Sequence, residues 1–438
     1  MTFLARAAFL LYAIAVLAAI WVQDHSGALP LGLFNEGRRE YEGLSVASLV
    51  LFAAIAAVFV AEMLRRKPIP LAGALRGLIA SFLLLELLLF AADVALVSRG
   101  SSSRLGGPYR EFESASGDWV WVKKAHAGSP YGFRTPSPYA KRAEHLRILF
   151  LGDSYTEGSG SAPGCNYPEV AAQRLSERIG APVEAMNAGV GGYGPVDAGL
   201  LLDHLTAAGY GFDAIVYSVF LENDFTDNLP ATERRVVAGI NFRFPVSWFL
   251  RAFHPLNSRT FRYLLFVART SRLDHGIREQ VQRREGSCRI ESEQLTEIGG
   301  ALRAMVERRL GANYSPQGSR AATAVMSQAL AGLEERARRL GIPFVLVVFP
   351  DRILADTDLR RLLDRDLVAE GYDLQRLRRW IESNVEGPPV LDTTEVLSGG
   401  SEHYRSGDTH LSDLGNLVAG EWVGERLATL LFSPGEGE

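Results

Sequence analysis

The apolar positions divide the chain near residue 98. Before that point three long apolar runs stand out, at residues 7–22, 45–63 and 78–97. A helix needs about 20 mostly apolar residues to cross a bilayer core, because each residue adds about 1.5 Å. The second and third runs meet that length and the first falls slightly short. Read instead as a cleaved signal peptide, the first run lacks a small-x-small cleavage site, and two further runs follow it. Residues 1–98 are therefore expected to form a transmembrane anchor of three helices. Arg65, Arg66, Lys67 and Arg76 lie between the second and third runs, and Arg6 lies near the N-terminus. Arg38 and Arg39 in the first loop are offset by Glu36, Glu40 and Glu42. Positive-inside counting then puts the N-terminus and the second loop in the cytoplasm. Three crossings leave the rest outside, so the expected location is the cytoplasmic (inner) membrane, multi-pass, with the domain that follows extracytoplasmic. Glu86 sits mid-way along the third run, with Asp93 seven residues on. Charge is expensive at that depth. The pair would either dock a partner membrane protein or pack as protonated carboxyls against the other two helices.

Beyond residue 98 the pattern changes. Residues 99–145 open with Gly, Ser and Pro and read as a tether followed by an extended segment. Short apolar runs bounded by turns then alternate with segments of helical period. Strands are predicted at 146–151, 183–186, 214–220, 343–349 and 389–391. Helices are predicted at 168–179, 196–208, 321–340, 373–383 and 412–431. Such alternation implies an α/β domain over 146–432, with a parallel sheet covered on both faces. Its ligand site belongs beyond the C-terminal ends of the strands.

The rhythm stops at about 229–320, which reads as a helical insertion. Within it, residues 241–270 interleave Phe242, Phe244, Trp248, Phe249, Phe253, Phe261, Tyr263 and Phe266 with Arg243, Arg251, Arg259 and Arg262. That mixture suits a segment lying in the membrane interface, a cap over the site, or a subdomain packed on the sheet. It also invites a single-stranded nucleic acid reading. The overall charge opposes that reading: 46 Lys+Arg against 50 Asp+Glu, net −4, is not the basic footprint of a nucleic-acid binder. The two cysteines, Cys165 and Cys288, have no metal-binding spacing. In an exported domain they could pair.

Four stations at the strand ends carry candidate chemistry. The first is Gly152-Asp153-Ser154-Tyr155-Thr156, where a glycine-relieved turn would present a serine hydroxyl to a cleft unless the serine only caps a helix. The second is the glycine run from Asn187 to Gly194, whose backbone N–H groups could approach a ligand closely. No Gly-Lys-Ser/Thr follows, so it is not a phosphate loop. The third is Leu221-Glu222-Asn223-Asp224, where an amide could donate to an oxyanion or organise a turn. The fourth is Gly407-Asp408-Thr409-His410. Of the chain's eight histidines, His410 alone has an acid two residues before it and a helix start just after. A serine nucleophile needs a base within reach, and the base needs an acid to orient it. The order of the four stations makes a stronger case than any one of them.

In that order, over about 131–432 and including Gly132-Phe133-Arg134, the chain resembles the SGNH (GDSL-type) hydrolase superfamily. The resemblance implies a flavodoxin-like three-layer α/β/α fold and ester hydrolysis with no cofactor and no metal. It implies Ser154 as nucleophile, His410 as general base and Asp408 as its partner. The oxyanion hole would be the Ser154 N–H, the Gly192 N–H and the Asn223 amide. Two positions depart from the family pattern. The usual Asp-x-x-His acid position is Gly407 here, and the acid stands one residue nearer. Asp-x-His also occurs in relatives that act on exported polysaccharides. Leu221 replaces the glycine that usually opens the third block, which would narrow the cleft beside Asn223. The expected substrates are acyl esters on envelope glycans or lipids. An O-acyltransferase or deacylase in polysaccharide modification shares this serine chemistry. A non-catalytic scaffold in a membrane assembly would not need the three residues.

Overall fold

The structure, a computed structural model, describes residues 141–162, 164–227 and 319–432 except 371 and 407. It also describes the strands at 109–113, 119–123, 232–237 and 240–245, and isolated positions between 55 and 64, at 133 and between 288 and 314. The expected transmembrane anchor, its orientation and the partner-binding face of its third helix lie outside the described residues, apart from those few positions. Among the described residues no helix is long and apolar enough to cross a membrane.

The chain divides into two compact units, residues 1–110 with 230–275, and residues 111–229 with 276–438. In the second unit five parallel strands form one sheet. These are β3 (Leu146–Leu151), β4 (Val183–Asn187), β5 (Ala214–Phe220), β8 (Phe344–Phe349) and β9 (Val390–Asp392), ordered β4-β3-β5-β8-β9. Strands β1 (Tyr109–Glu113) and β2 (Trp119–Lys123) form a separate two-stranded sheet. The first unit's hairpin, β6 (Thr232–Val237) with β7 (Ile240–Pro245), is antiparallel.

The central strands β3, β5 and β8 read Leu-Arg-Ile-Leu-Phe-Leu, Ala-Ile-Val-Tyr-Ser-Val-Phe and Phe-Val-Leu-Val-Val-Phe, and are buried almost throughout. Unbroken apolar runs are what a parallel strand covered on both faces requires. Helices α2 (Tyr167–Ile179) and α10 (Asp413–Phe432) pack together. Their Ala171, Leu175, Val423 and Leu427 share a core with Ile148, Phe150, Val216, Val345 and Phe349. Helices α3 (Pro195–Ala207) and α5 (Ser319–Leu340) form a second packed pair. Strand order reverses on either side of β3, so the switch point, where such sheets bind ligands, lies between β3 and β5.

The remaining helices are short α1 (Ser154–Glu157), α4 (Asp224–Asp227), α6 (Arg352–Ala355) and α9 (Thr394–Leu397), and longer α7 (Thr357–Glu370) and α8 (Arg376–Asn384). The insertion is not helical where it begins. Its opening stretch is the β6–β7 hairpin, in which Arg235 faces Phe242 and Val237 faces Ile240. Cys165 and Cys288 are joined in a disulfide.

Candidate active site

The turn after β3 is set by its backbone. Gly152 has φ +153°, and a Cβ there would lie 2.2 Å from Thr156 Oγ1, so only glycine fits. Buried Asp153 caps α1, its carboxylate accepting the Tyr155 N–H at 2.8 Å. Ser154 opens the helix beyond that cap, which fixes where its Oγ points.

The glycine run after β4 folds against this turn. Val190 N–H donates to the Gly152 carbonyl at 3.1 Å. Gly191 N–H donates to Glu157 Oε2 at 2.8 Å. Gly189 lies so close that a Cβ would sit 2.2 Å from the Glu157 backbone nitrogen. Gly192 follows with φ +81°. Asn223 is buried in the turn that closes β5. There Asp224 accepts the Phe220 N–H at 3.0 Å and the Tyr217 hydroxyl at 3.2 Å. Phe220 stacks on Tyr155, with ring centroids 3.8 Å apart.

The acid–histidine segment reaches the same rim from the far end of the chain. His410 Nε2 lies 2.9 Å from Ser154 Oγ across 256 positions of sequence. Asp153 Oδ2 is a second, longer neighbour of that hydroxyl at 3.3 Å. Asp408 Oδ1 stands 3.3 Å from His410 Nδ1 and accepts the His410 backbone N–H at 2.8 Å. Nδ1 makes no well-formed hydrogen bond, so acid and imidazole stand side by side without a hydrogen bond of good geometry. Catalytic hydrogen bonds are often long before substrate binds. Burial would lower the His410 pKa, but the Asp408 carboxylate, with Asp153 and Glu222, outweighs it and raises the pKa above its ordinary value. Burial would likewise raise Asp408, and the neighbouring His410 overrides it and lowers the carboxyl. The arrangement can move a proton from the serine hydroxyl to the imidazole and hold the resulting cation beside a carboxylate.

Several residues around the site escaped the sequence reading. Tyr155 donates its hydroxyl to the carbonyl of Thr409, between the acid and the histidine. Burial pushes that phenol well above its usual pKa. Glu157, one helical turn past Ser154, holds the glycine run by accepting the Gly191 N–H. Glu222 is buried beside Asn223. The fourth strand, β8, also has a station: Asp351-Arg352 at its end, with Arg352 fully buried and ion-paired to Asp356 at 2.9 Å. Tyr314, from the end of the insertion, donates to Asp351 at 3.1 Å. Among the described residues no cluster of acidic, histidine or cysteine side chains is arranged to hold a metal ion.

No protein-family model matches the chain, and none of the curated proteins does. Several solved structures are similar to it. One is described as a putative lipolytic protein of the G-D-S-L family from Desulfitobacterium hafniense, 12% identical over 64% of this chain and 98% of that one, with a TM-score of 0.31. A lipase from a goat rumen metagenome is 12% identical over 65% and 97%, with a TM-score of 0.32. A G-D-S-L lipolytic family member from Veillonella parvula is 11% identical over 64% and 97%, with a TM-score of 0.29. In its strand order and in the sequence of blocks beyond the strand ends the chain resembles the SGNH (GDSL-type) superfamily.

Proposed function

We propose that the chain is a serine-dependent acyl-ester hydrolase working outside the cytoplasmic membrane on acylated envelope glycans or lipids. The observation that carries this reading is the 2.9 Å approach of His410 Nε2 to Ser154 Oγ at the C-terminal rim of the sheet. Ser154 attacks the ester carbonyl while His410 takes its proton, and Asp408 stabilises the imidazolium. The Ser154 and Gly192 N–H groups and the Asn223 amide receive the developing oxyanion. His410 returns the proton to the leaving alcohol, and water then resolves the acyl-enzyme with His410 as base again. The location is supported by the apolar runs of residues 1–98 and by the Cys165–Cys288 bridge, since disulfides persist in oxidising compartments.

A fluorophosphonate probe tests the chemistry. Labelling of the wild-type protein at Ser154, and none of Ser154→Ala, is the expected result. Absence of labelling in a folded wild-type protein would remove the enzyme reading. Incubation with short acyl esters and acetylated glycans, with and without acceptor sugar, then separates hydrolysis from acyl transfer.

A further inference from the structure

Resting on the ester-hydrolase reading, we propose that Arg352 is a positioning residue for the reaction: its buried guanidinium clamps the loop that presents Asp408 and His410 to Ser154. Arg352 opens α6, just past the end of β8, and is wholly buried. Its Nη1 donates to the backbone carbonyls of Arg405 and Asp408, both at 2.6 Å. Its Nε pairs with Asp356 at 2.9 Å, and Asp356 is equally buried. Its guanidinium also lies over the Tyr404 ring, 5.3 Å from the centroid.

The loop needs such a clamp because it has little regular structure of its own. Tyr404 and Leu411 form an isolated bridge, and Arg405 N–H donates to the His410 carbonyl at 2.9 Å. Those bonds close the loop's base but leave the carbonyls of Arg405 and Asp408 turned inward. A buried carbonyl without a donor costs roughly 1–3 kcal/mol. Arg352 satisfies both from one nitrogen, while its ion pair with Asp356 anchors it to α6. Tyr155 donates its hydroxyl to the carbonyl of Thr409, the residue between Asp408 and His410. The carboxylate of Asp408 is thereby set beside the imidazole by a cation that touches neither Ser154 nor His410.

The test must distinguish positioning from bulk stability, because removing one partner of a buried ion pair leaves the other uncompensated. Arg352→Met/Asp356→Asn removes both charges at once. Arg352→Lys keeps a cation for Asp356 but lacks the forked donors. Two readouts apply to the full chain. One is ester turnover against pH. The other is the pH dependence of His410 carbethoxylation by diethylpyrocarbonate, followed by mass spectrometry of its peptide; it reports the imidazole pKa and needs no enzymatic activity.

The groups acting on His410 are Asp408 from its own loop, which Arg405 faces in turn at 3.7 Å, Asp153 from the end of β3, Glu222 from beyond β5, and the Tyr155 ring from α1. With the clamp gone, Asp408 drifts from the imidazole. The His410 pKa then falls towards the ordinary value of about 6.5. Loss of the arginine's charge alone would move it upward, so the direction is diagnostic. Turnover falls on the order of 10²-fold, mainly in kcat, and Arg352→Lys lies between. A folded double variant, or a folded Arg352→Lys should the double variant not fold, with wild-type His410 titration and turnover would overturn the proposal. If the wild-type protein is not labelled by the phosphonate, the hydrolase reading falls, and the imidazole titration still decides the clamp.

Discussion

The serine side and the histidine side of the site are built by different means. On the serine side the backbone does the positioning. A buried parallel strand ends at Gly152, Asp153 caps a one-turn helix, and the glycine run lies against it through backbone donors at 2.8–3.1 Å. On the histidine side irregular chain is held from outside, by the Tyr155 hydroxyl and the Arg352 guanidinium on three carbonyls of the loop, those of Arg405, Asp408 and Thr409. The first region is rigid because its conformation is locally determined. The second is placed by side chains whose own positions depend on two other strands. A nucleophile must be exposed at a fixed point, whereas a base has to accommodate protonation and release. The contrast also predicts which substitutions damage chemistry, which damage the fold, and which do both.

The largest effect should come from the loop. Asp408→Asn keeps the side chain's shape but removes the charge that holds the imidazolium, and turnover should fall on the order of 10⁴-fold, as expected when such an acid is neutralised. Stability should change little, since the pair is partly exposed. The pH profile gives a second check. His410 must be neutral to act as base, and its pKa is raised, so wild-type turnover falls as pH drops through that raised value. Asp408→Asn should shift this acid limb to lower pH while lowering the plateau. The linkage signs follow the same shifts. The raised histidine contributes stability that is full below its unfolded pKa and is lost as pH rises through the folded one. The lowered carboxyl contributes stability present above its unfolded pKa and lost as pH falls through the folded one. An acid limb that did not move would sever Asp408 from His410.

Next in size is Asn223→Ala, on the ordered side of the site. If the amide receives the oxyanion, turnover should fall by about 10²–10³, or about 2.7–4 kcal/mol in the transition state, with KM nearly unchanged. Steady-state kinetics on a short acyl ester decide it. A drop confined to KM would assign Asn223 to substrate binding instead.

The same contrast explains what could be read from the sequence. The three central strands were legible because a strand buried on both faces is an unbroken apolar run, as Phe344–Phe349 shows. The residues at 152–154, 187–194 and 221–224 were legible because each directly follows a strand, and those at 408–410 because an acid and a histidine stand just before the closing helix. Helix α7 was missed amid its arginines and aspartates. Its signal was Leu359 and Leu363, both buried, after Asp356, which accepts the Leu359 N–H. The β6–β7 hairpin was hidden by a reading that took its aromatics as part of a longer basic segment. Arg352 was not legible. Nothing local separates it from the chain's other arginines, because its acceptors lie 53 and 56 residues further on. The disulfide spans 123 residues, and only the fold brings its ends together.

The smallest effect should be the one that tests the ordered side most directly. Gly152→Ala adds a single methyl group and removes no functional atom. With φ at +153°, alanine would be strained, and its Cβ would press on Thr156 Oγ1 and on Ser218 Cβ 3.2 Å away. Strain of this kind typically costs about 1–3 kcal/mol, readable as a lowered midpoint in chemical denaturation. Because Ser154 hangs from this turn, turnover should fall together with stability. Asp408→Asn should separate the two, losing turnover at nearly constant stability. If Gly152→Ala kept full stability and activity, the serine side would be as adaptable as the loop opposite, and the division of labour between backbone and side chains would not hold.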